Sequence, residues 1–165
     1  MLFIHRLSLR FAMIAGLALA LSGTPAWAQS GAASDIAVVV HPDTPVTDLK
    51  FSEIRRVFLG DRQYWSPNFP VVLVVRAPVA KEREVILKKI YEMSEAQFKQ
   101  YWIARIFRNE SASAPKVVYS SETLIELVAA IPGAISLVRF GEVGSNLKVL
   151  KVDGLLPGEA GYPLH

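Results

Sequence analysis

The stretches IAVVV (Ile36–Val40) and VVLVV (Val71–Val75) decide the fold of this chain, and a third run, AISLV (Ala134–Val138), continues the pattern. Each run is apolar or nearly so and rich in β-branched residues, without the alternation of a strand that faces solvent on one side. Such runs are typical of strands that are covered on both faces. The three stretches therefore predict the centre of a sheet that has helices packed against both of its faces.

Amphipathic helices are predicted between these strands. Apolar residues recur at helical spacing in four segments, and a capping box formed by Ser94 and Gln97 opens the third of them. The helical segments are 51–58, 79–92, 94–106 and 121–131, and two further short strands are expected at 117–119 and 147–152. Buried strands that alternate with amphipathic helices predict a three-layer α/β domain with a mostly parallel sheet of about five strands.

The first 28 residues have the pattern of a secretory signal peptide. A short positive segment with Arg6 and Arg10 precedes an uncharged run, Phe11–Leu21, and Ala26–Ala28 supplies the small residues that signal peptidase requires. The alternative is an uncleaved membrane anchor, but eleven apolar residues are too few for a hydrocarbon core that needs about 20. We therefore expect cleavage after Ala28, a single mature domain at residues 29–165 and a periplasmic location.

The composition of the predicted mature chain excludes several classes of protein. Removal of the signal peptide leaves 16 basic and 15 acidic residues, so no polycationic surface for nucleic acid remains. The chain has no cysteine, which excludes disulfides and a lipid-modified cysteine after the signal. We therefore expect a domain that is stabilised by burial alone and has no membrane anchor. The tail, residues 153–165, lacks periodicity and is expected to be loose.

Candidate binding residues lie where the predicted strands end. In parallel α/β sheets, ligands bind at the loops that leave the carboxyl ends of the strands, where helix N-termini also point. The residues expected at this edge are His41, Arg76, Ser120, Ser121 and Arg139. Hydroxyls and free backbone N–H groups beside an arginine favour a small oxyanion such as phosphate, sulfate or a carboxylate. Each residue also has an ordinary interpretation: helix caps for the serines, surface charges for the arginines, and a structural side chain for His41.

The sequence offers little for catalysis or for a cofactor. The predicted mature chain contains two histidines, His41 and His165, and no cysteine nucleophile. It has no G-x-S-x-G elbow, no H-E-x-x-H helix, no P-loop and no G-x-G-x-x-G loop. We therefore predict a protein that is not an enzyme and that has no catalytic residues, no metal site and no cofactor.

The segment LKFSEIRRVFLG (Leu49–Gly60), followed by Trp65, resembles a stretch of the periplasmic phosphate-binding proteins of ABC transporters. In that family, a helix that ends in the residues IFLG is followed by a tryptophan. The similarity continues in the same order over about residues 36–138, through the strand that ends at Arg76 and into the block IPGAI (Ile131–Ile135). The resemblance implies a single lobe of the type II periplasmic binding protein fold.

The resemblance also bears on the candidate site residues. Arg76 matches the family's arginine, whereas Ser120 and Ser121 only align near a ligand-facing loop. Where the family has a Ser-Gly-Thr segment after this arginine, this chain has Ala77–Lys81, so the hydroxyls that hold the anion are absent. The family's proteins also have two lobes that close on the ligand, whereas this chain is long enough for about one.

The residues and the resemblance leave two functional hypotheses open. The first is a small periplasmic protein, related to the substrate-binding components of ABC transporters, that binds phosphate or another oxyanion weakly or through an assembled site. Its partners would be an ABC permease, or a second copy of the chain in a homodimer that completes the site. The second, favoured by the missing Ser-Gly-Thr segment, is a non-transport sensory or interaction module that has lost the ligand and contacts a sensor kinase ectodomain or another envelope protein.

Overall fold

The computed structural model describes residues 34–165, so the predicted signal peptide and its cleavage site lie outside the described residues. Its strands are β1 (Ile36–Val40), β2 (Asp48–Leu49), β3 (Tyr64–Ser66), β4 (Phe69–Pro70), β5 (Val72–Arg76), β6 (Lys116–Val118), β7 (Ala134–Arg139), β8 (Lys148–Val149) and β9 (Lys151–Val152). Its helices are α1 (Phe51–Phe58), α2 (Lys81–Val85), α3 (Glu95–Phe107) and α4 (Ser121–Ala130). A π-helical turn, Ile86–Tyr91, continues α2, and a 3-10 turn, Phe140–Glu142, follows β7. Over residues 34–165, every helix is too short or too polar to span a lipid bilayer.

Five of these strands form the central sheet, in the order β6-β5-β7-β1-β8. β5 is parallel to both of its neighbours, β6 and β7. β1 is antiparallel to β7 and to β8. Four of the five strands therefore run in the same direction, and the predicted three-layer α/β domain with a mostly parallel sheet is confirmed.

The sheet is buried on both faces by side chains that alternate along its strands. On β1, Ile36, Val38 and Val40 join a core shared with α1, α2 and α3, whereas Ala37 and Val39 join a second core beneath α4. All of these β1 side chains are fully buried. The unbroken apolar runs of the sequence predict this two-sided burial, because a strand covered on both faces needs apolar residues at every position.

The helices α3 and α4 begin at caps that the sequence predicts. The Ser94 Oγ accepts a hydrogen bond from the Gln97 N–H at 3.2 Å, and the Gln97 Oε1 accepts one from the Ser94 N–H at 2.8 Å. Ser120 caps α4 by accepting a hydrogen bond from the Thr123 N–H. Because each hydroxyl satisfies a backbone donor that has no partner inside the helix, local sequence fixes both helix starts.

The carboxyl-terminal region differs from the prediction. Residues 147–152 form two short strands, β8 and β9, which belong to different sheets. The expectation of a loose tail is wrong, because Tyr162 and Leu164 are buried in the core shared with α1, α2 and α3. The Ile36 N–H donates to the Leu164 carbonyl at 2.8 Å, and the Tyr162 hydroxyl donates to the Ile36 carbonyl at 2.8 Å. Two apolar anchors in an irregular segment give no periodic signal, so the pattern alone could not show this packing.

Candidate functional site

The carboxyl ends of β5, β6 and β7 meet at one edge of the sheet, which we call the Arg76 edge. Arg76 lies opposite Val118 in the β5–β6 pair, and the Ala77 N–H donates to the Val118 carbonyl at 2.8 Å. β7 runs parallel to β5 and ends at Arg139. The structure therefore brings four of the predicted site residues to this edge, namely Arg76, Ser120, Ser121 and Arg139.

His41 lies at the opposite edge of the sheet, so its prediction as a neighbour of Arg76 is wrong. β1 is antiparallel to β7, with Ile36 opposite Arg139. The His41 N–H accordingly donates to the Ala134 carbonyl, at the start of β7, at 3.1 Å. The prediction assumed that β1 runs parallel to its neighbours, and a buried apolar run does not determine the direction of a strand.

Arg139 is held by acidic side chains of this edge. Its guanidinium forms ion pairs with Glu142 and, at 3.5 Å, with Glu82. Glu82 is only 3 % exposed at the start of α2, so this pair connects α2 to the end of β7. Because its guanidinium already pairs with two carboxylates, Arg139 has little capacity left to bind an anion.

The N-terminus of α4 already holds a carboxylate. The Ser120 Oγ accepts a hydrogen bond from the Thr123 N–H at 3.0 Å. The Ser120 hydroxyl has one proton to donate, and two acceptors lie within its reach, the Thr123 Oγ1 and the Glu122 carboxylate. A hydrogen bond from its own backbone N–H lowers the pKa of Glu122, and the Ser120 hydroxyl and the charge of Arg76 act in the same direction. Ser121 is the first residue of α4. The helix start predicted to receive an oxyanion thus receives a side chain of its own helix.

Arg76 differs from Arg139, because it forms no ion pair with any residue in 34–165. The side chain is half-buried, and its Nε and Nη1 are buried without a hydrogen-bond partner in the described chain. A buried donor without a partner costs about 1–3 kcal/mol, and more when it is charged. A guanidinium presents its donors as a planar fork that matches an oxyanion. Arg76 therefore has hydrogen-bonding capacity that no residue in 34–165 uses.

The loop after Arg76 exposes apolar side chains and carries no hydroxyl. It consists of Ala77–Ala80, and Val79 in its centre has a φ of +71° and a fully exposed side chain. A β-branched residue in this left-handed region is strained, at a cost of about 1–3 kcal/mol. Tyr119, which follows β6 at the same edge, is 85 % exposed. The Arg76 edge therefore combines one unpaired guanidinium with two exposed apolar side chains.

Sequence reasoning missed four residues of this edge, namely Val79, Glu82, Tyr119 and Glu122. Glu122 could have been found, because an acidic residue just after a serine cap is typical of a carboxylate bound at a helix N-terminus. The left-handed conformation of Val79 has no signal in the sequence, since valine rarely adopts it.

Within residues 34–165, His, Asp and Glu side chains form no group of three or more that could hold a metal ion.

Solved phosphate-binding proteins share this fold. A protein described as a phosphate ABC transporter substrate-binding protein from Clostridium perfringens, solved with bound phosphate, matches with a TM-score of 0.60 and 21 % identity over 74 % of this chain and 46 % of that chain. An ABC-type phosphate transport receptor from Vibrio cholerae matches with a TM-score of 0.59 and 18 % identity over 74 % of this chain and 48 % of that chain. PstS from Borrelia burgdorferi matches with a TM-score of 0.54 and 15 % identity over 74 % of this chain and 49 % of that chain. No protein-family model and no curated protein matches the chain.

The chain spans about half the length of these solved structures. The matched part contains one central sheet with helices on both faces, as the resemblance of the sequence implies. At identities of 15–21 % the likeness is one of architecture. This chain has the fold of a single lobe of a phosphate ABC transporter substrate-binding protein.

Proposed function

We propose that this protein binds phosphate or another small oxyanion at the Arg76 edge, as a small module related to the substrate-binding components of ABC transporters. The observation that supports the proposal most strongly is that Nε and Nη1 of Arg76 are buried without a partner in residues 34–165. One solved protein of the same fold holds bound phosphate. The role is one of binding and not of catalysis, in keeping with the structural neighbours, which are described as binding proteins and a receptor.

Binding by this lobe alone is weak. Glu122 occupies the start of α4, Arg139 is paired with Glu82 and Glu142, and Ala77–Ala80 offers no hydroxyl. A single charged hydrogen bond contributes about 1.5–3 kcal/mol, whereas a Kd of about 1 mM requires about 4 kcal/mol. We therefore expect a Kd of about 1 mM or weaker. Tighter binding requires a second copy of the chain or a permease that covers the site.

The proposed site of action is the periplasm. The positive segment with Arg6 and Arg10, the uncharged run Phe11–Leu21 and the small residues at Ala26–Ala28 support export and cleavage after Ala28. Mass spectrometry of the protein from a periplasmic extract tests this, because the proposal requires a chain that begins at Gln29. A chain that keeps residues 1–28 would contradict it.

A second candidate role is that of a non-transport interaction module in the envelope, which contacts a sensor kinase ectodomain or another envelope protein. The exposed Val79 and Tyr119 favour it, because exposed apolar and aromatic side chains commonly mark sites of protein association. The absence of hydroxyl donors in Ala77–Ala80 points in the same direction. Under this role, Arg76 contributes to a protein interface and binds no free anion.

Calorimetric titration of the exported protein with phosphate, and with sulfate for comparison, separates the two roles. The first role predicts saturable heat near millimolar phosphate and at least about tenfold weaker binding by Arg76→Ala. Arg56→Ala is the matched control, because it removes an exposed arginine of α1 and leaves the Kd unchanged. Absence of saturable heat up to about 20 mM phosphate, or equal binding by Arg76→Ala, contradicts oxyanion binding and favours the interaction module.

A further inference from the structure

A cleft lies at the end of the sheet opposite to the Arg76 edge. It has a volume of about 260 Å³ and lies between the β3–β4 hairpin and residues 111–116, beside the starts of β5 and β6. Arg76 is four positions after Val72, which belongs to the lining of this cleft, and this spacing corresponds to about 13 Å along β5. The cleft is therefore distinct from the proposed oxyanion site.

The charged side chains that line this cleft are all cationic. Arg62 and Lys116 belong to its lining, which contains no aspartate and no glutamate. Lys116 is exposed and has no ion pair with any described residue. Arg62 Nη1 is 3.9 Å from the nearest carboxylate oxygen, that of Glu53, which makes this a long ion pair. The cleft therefore has a positive potential that favours an anionic group.

Two further acidic residues near the cleft, Glu110 and Asp61, are paired with arginines outside its lining. Glu110, next to the segment that forms one wall, accepts hydrogen bonds from Arg108 at 2.6 Å and 3.1 Å. Asp61, next to Arg62 in the sequence, accepts one from Arg105 at 2.9 Å. Because these carboxylates are neutralised by neighbours outside the lining, they do not cancel the charges of the two lining cations.

The rest of the lining is mostly apolar, with Gln63, Ser111 and Ser113 as its uncharged polar members, and its two walls are joined by a hydrogen bond. Val57, Leu73 and Trp102 contribute aliphatic and aromatic surface, and the Tyr64 side chain is 58 % exposed. The Gln63 Nε2 donates to the Glu110 carbonyl at 2.6 Å, which links the hairpin to the chain that leads into the opposite wall. A preformed cleft with apolar walls and a few charged groups is the usual form of a small-molecule site.

We propose that this cleft binds a small molecule that has an aromatic body and a single anionic group. The aromatic body packs against Leu73 and the exposed ring of Tyr64, and the anionic group pairs with Lys116 and Arg62. The volume of about 260 Å³ is sufficient for a molecule with a fused pair of aromatic rings. The proposal does not depend on oxyanion binding at Arg76, because the two sites share no residue.

Titration of the exported and purified protein with naphthalene-2-sulfonate tests this proposal by two-dimensional amide NMR. We expect saturable shifts at the amides of Tyr64, Ala112, Ser113 and Lys116. Lys116→Ala raises the Kd at least about fivefold, whereas Lys88→Ala, which removes an exposed lysine of the helical layer, leaves it unchanged. Naphthalene-2-sulfonamide, which is uncharged, binds at least about fivefold more weakly than the sulfonate.

Three outcomes overturn the proposal. They are the absence of saturable shifts up to about 10 mM sulfonate, shifts that map to the Arg76 edge in place of the cleft, and a Kd that Lys116→Ala leaves unchanged. The amide spectrum of each variant also shows whether it is folded. Arg76→Ala, whose effect on phosphate tests the proposed function, is expected to leave sulfonate binding unchanged, so failure of one site is distinguishable from failure of the other.

Discussion

Arg83 and Arg76 lie close together in the sequence, but their side chains have different surroundings in the structure. Arg83, in α2, is 3 % exposed, and its Nε and Nη2 donate to the two carboxylate oxygens of Glu95 at 3.0 Å and 2.5 Å. Its guanidinium also stacks 3.9 Å above the centre of the Phe98 ring. Arg76, at the end of β5, has two buried nitrogens without a partner in residues 34–165 and no ion pair there.

The difference between these arginines separates a charge with an ion-pair partner from a charge that has none within the described residues. Arg83 also has one buried nitrogen without a partner, Nη1, but Glu95 neutralises its charge and Phe98 covers its face. Removing such a side chain leaves a carboxylate and a packing defect behind. Removing Arg76 leaves no partner unpaired within the described chain. Stability should therefore depend on Arg83, and anion binding on Arg76.

The largest expected effect is the loss of stability in Arg83→Ala. We expect the free energy of unfolding to fall by about 3 kcal/mol, because Glu95 loses its partner and Phe98 loses the covering guanidinium. Urea denaturation followed by circular dichroism measures this. Arg76→Ala is the comparison variant, with an expected change of less than about 1 kcal/mol. Equal destabilisation by the two variants would remove the distinction between the arginines.

Arg139→Ala should have an intermediate effect on stability and almost none on phosphate binding. The change leaves Glu82, whose side chain is 4 % exposed, without its ion-pair partner. Because Arg139 itself is half exposed, we expect a loss of about 1–2 kcal/mol and not the larger value of a fully buried pair. Urea denaturation and calorimetric titration on the same preparation measure both properties. A tenfold loss of phosphate affinity would instead place Arg139 in the anion site.

The acid sensitivity of the protein should depend on Glu95. The hydrogen bond from Arg83 lowers the pKa of the Glu95 carboxyl below its ordinary value of 4.5. The folded state therefore binds this proton less readily than the unfolded state does. The stabilisation is complete above the ordinary value, and it disappears as the pH falls through the lower folded-state value.

The measurement for Glu95 is urea denaturation at a series of pH values between about pH 5 and pH 3. The free energy of unfolding of the wild type should fall more steeply over this range than that of Glu95→Gln, which cannot titrate. Glu126→Gln is a control, because the exposed Glu126 has no ion pair with any residue in 34–165. Parallel curves for the wild type and Glu95→Gln would show that the Arg83–Glu95 pair does not stabilise the fold.

The smallest expected effect is an increase in phosphate affinity in Glu122→Gln. Glu122 places a negative charge at the start of α4, and the charge of Arg76 contributes to the lowered pKa of this carboxyl. Removing the charge while keeping the size of the side chain should lower the phosphate Kd about threefold, since exposed charges interact weakly through water. Calorimetric titration measures the change. Weaker binding by Glu122→Gln would show that phosphate does not approach this helix start.

The central strands and the helices with serine caps could be predicted from the sequence, because each depends on nearby residues. Ile36–Val40 is apolar at every position, and Ser94 with Gln97 forms a capping box. The direction of β1 could not be predicted, since burial of both faces is compatible with either direction. This direction moves His41 to the other edge and changes the predicted site.

The arrangement of charges at the Arg76 edge also could not be predicted from the sequence. The pairing of Arg139 with Glu82 joins residues that are distant in the chain, and no local pattern indicates it. The unpaired nitrogens of Arg76 are a property of the whole packed edge. The sequence could therefore identify an arginine at the end of a strand, and the structure is needed to separate the paired arginine from the unpaired one.

NMR of the arginine Nε–H groups during phosphate titration tests the central claim most directly, because it observes the two guanidinium groups themselves. The Arg76→Ala and Arg83→Lys variants assign the two signals. We predict that phosphate shifts the Arg76 Nε–H signal saturably, near millimolar concentration, and leaves the Arg83 signal in place. An Arg76 signal that does not move up to about 20 mM phosphate, while the protein remains folded, would contradict the account.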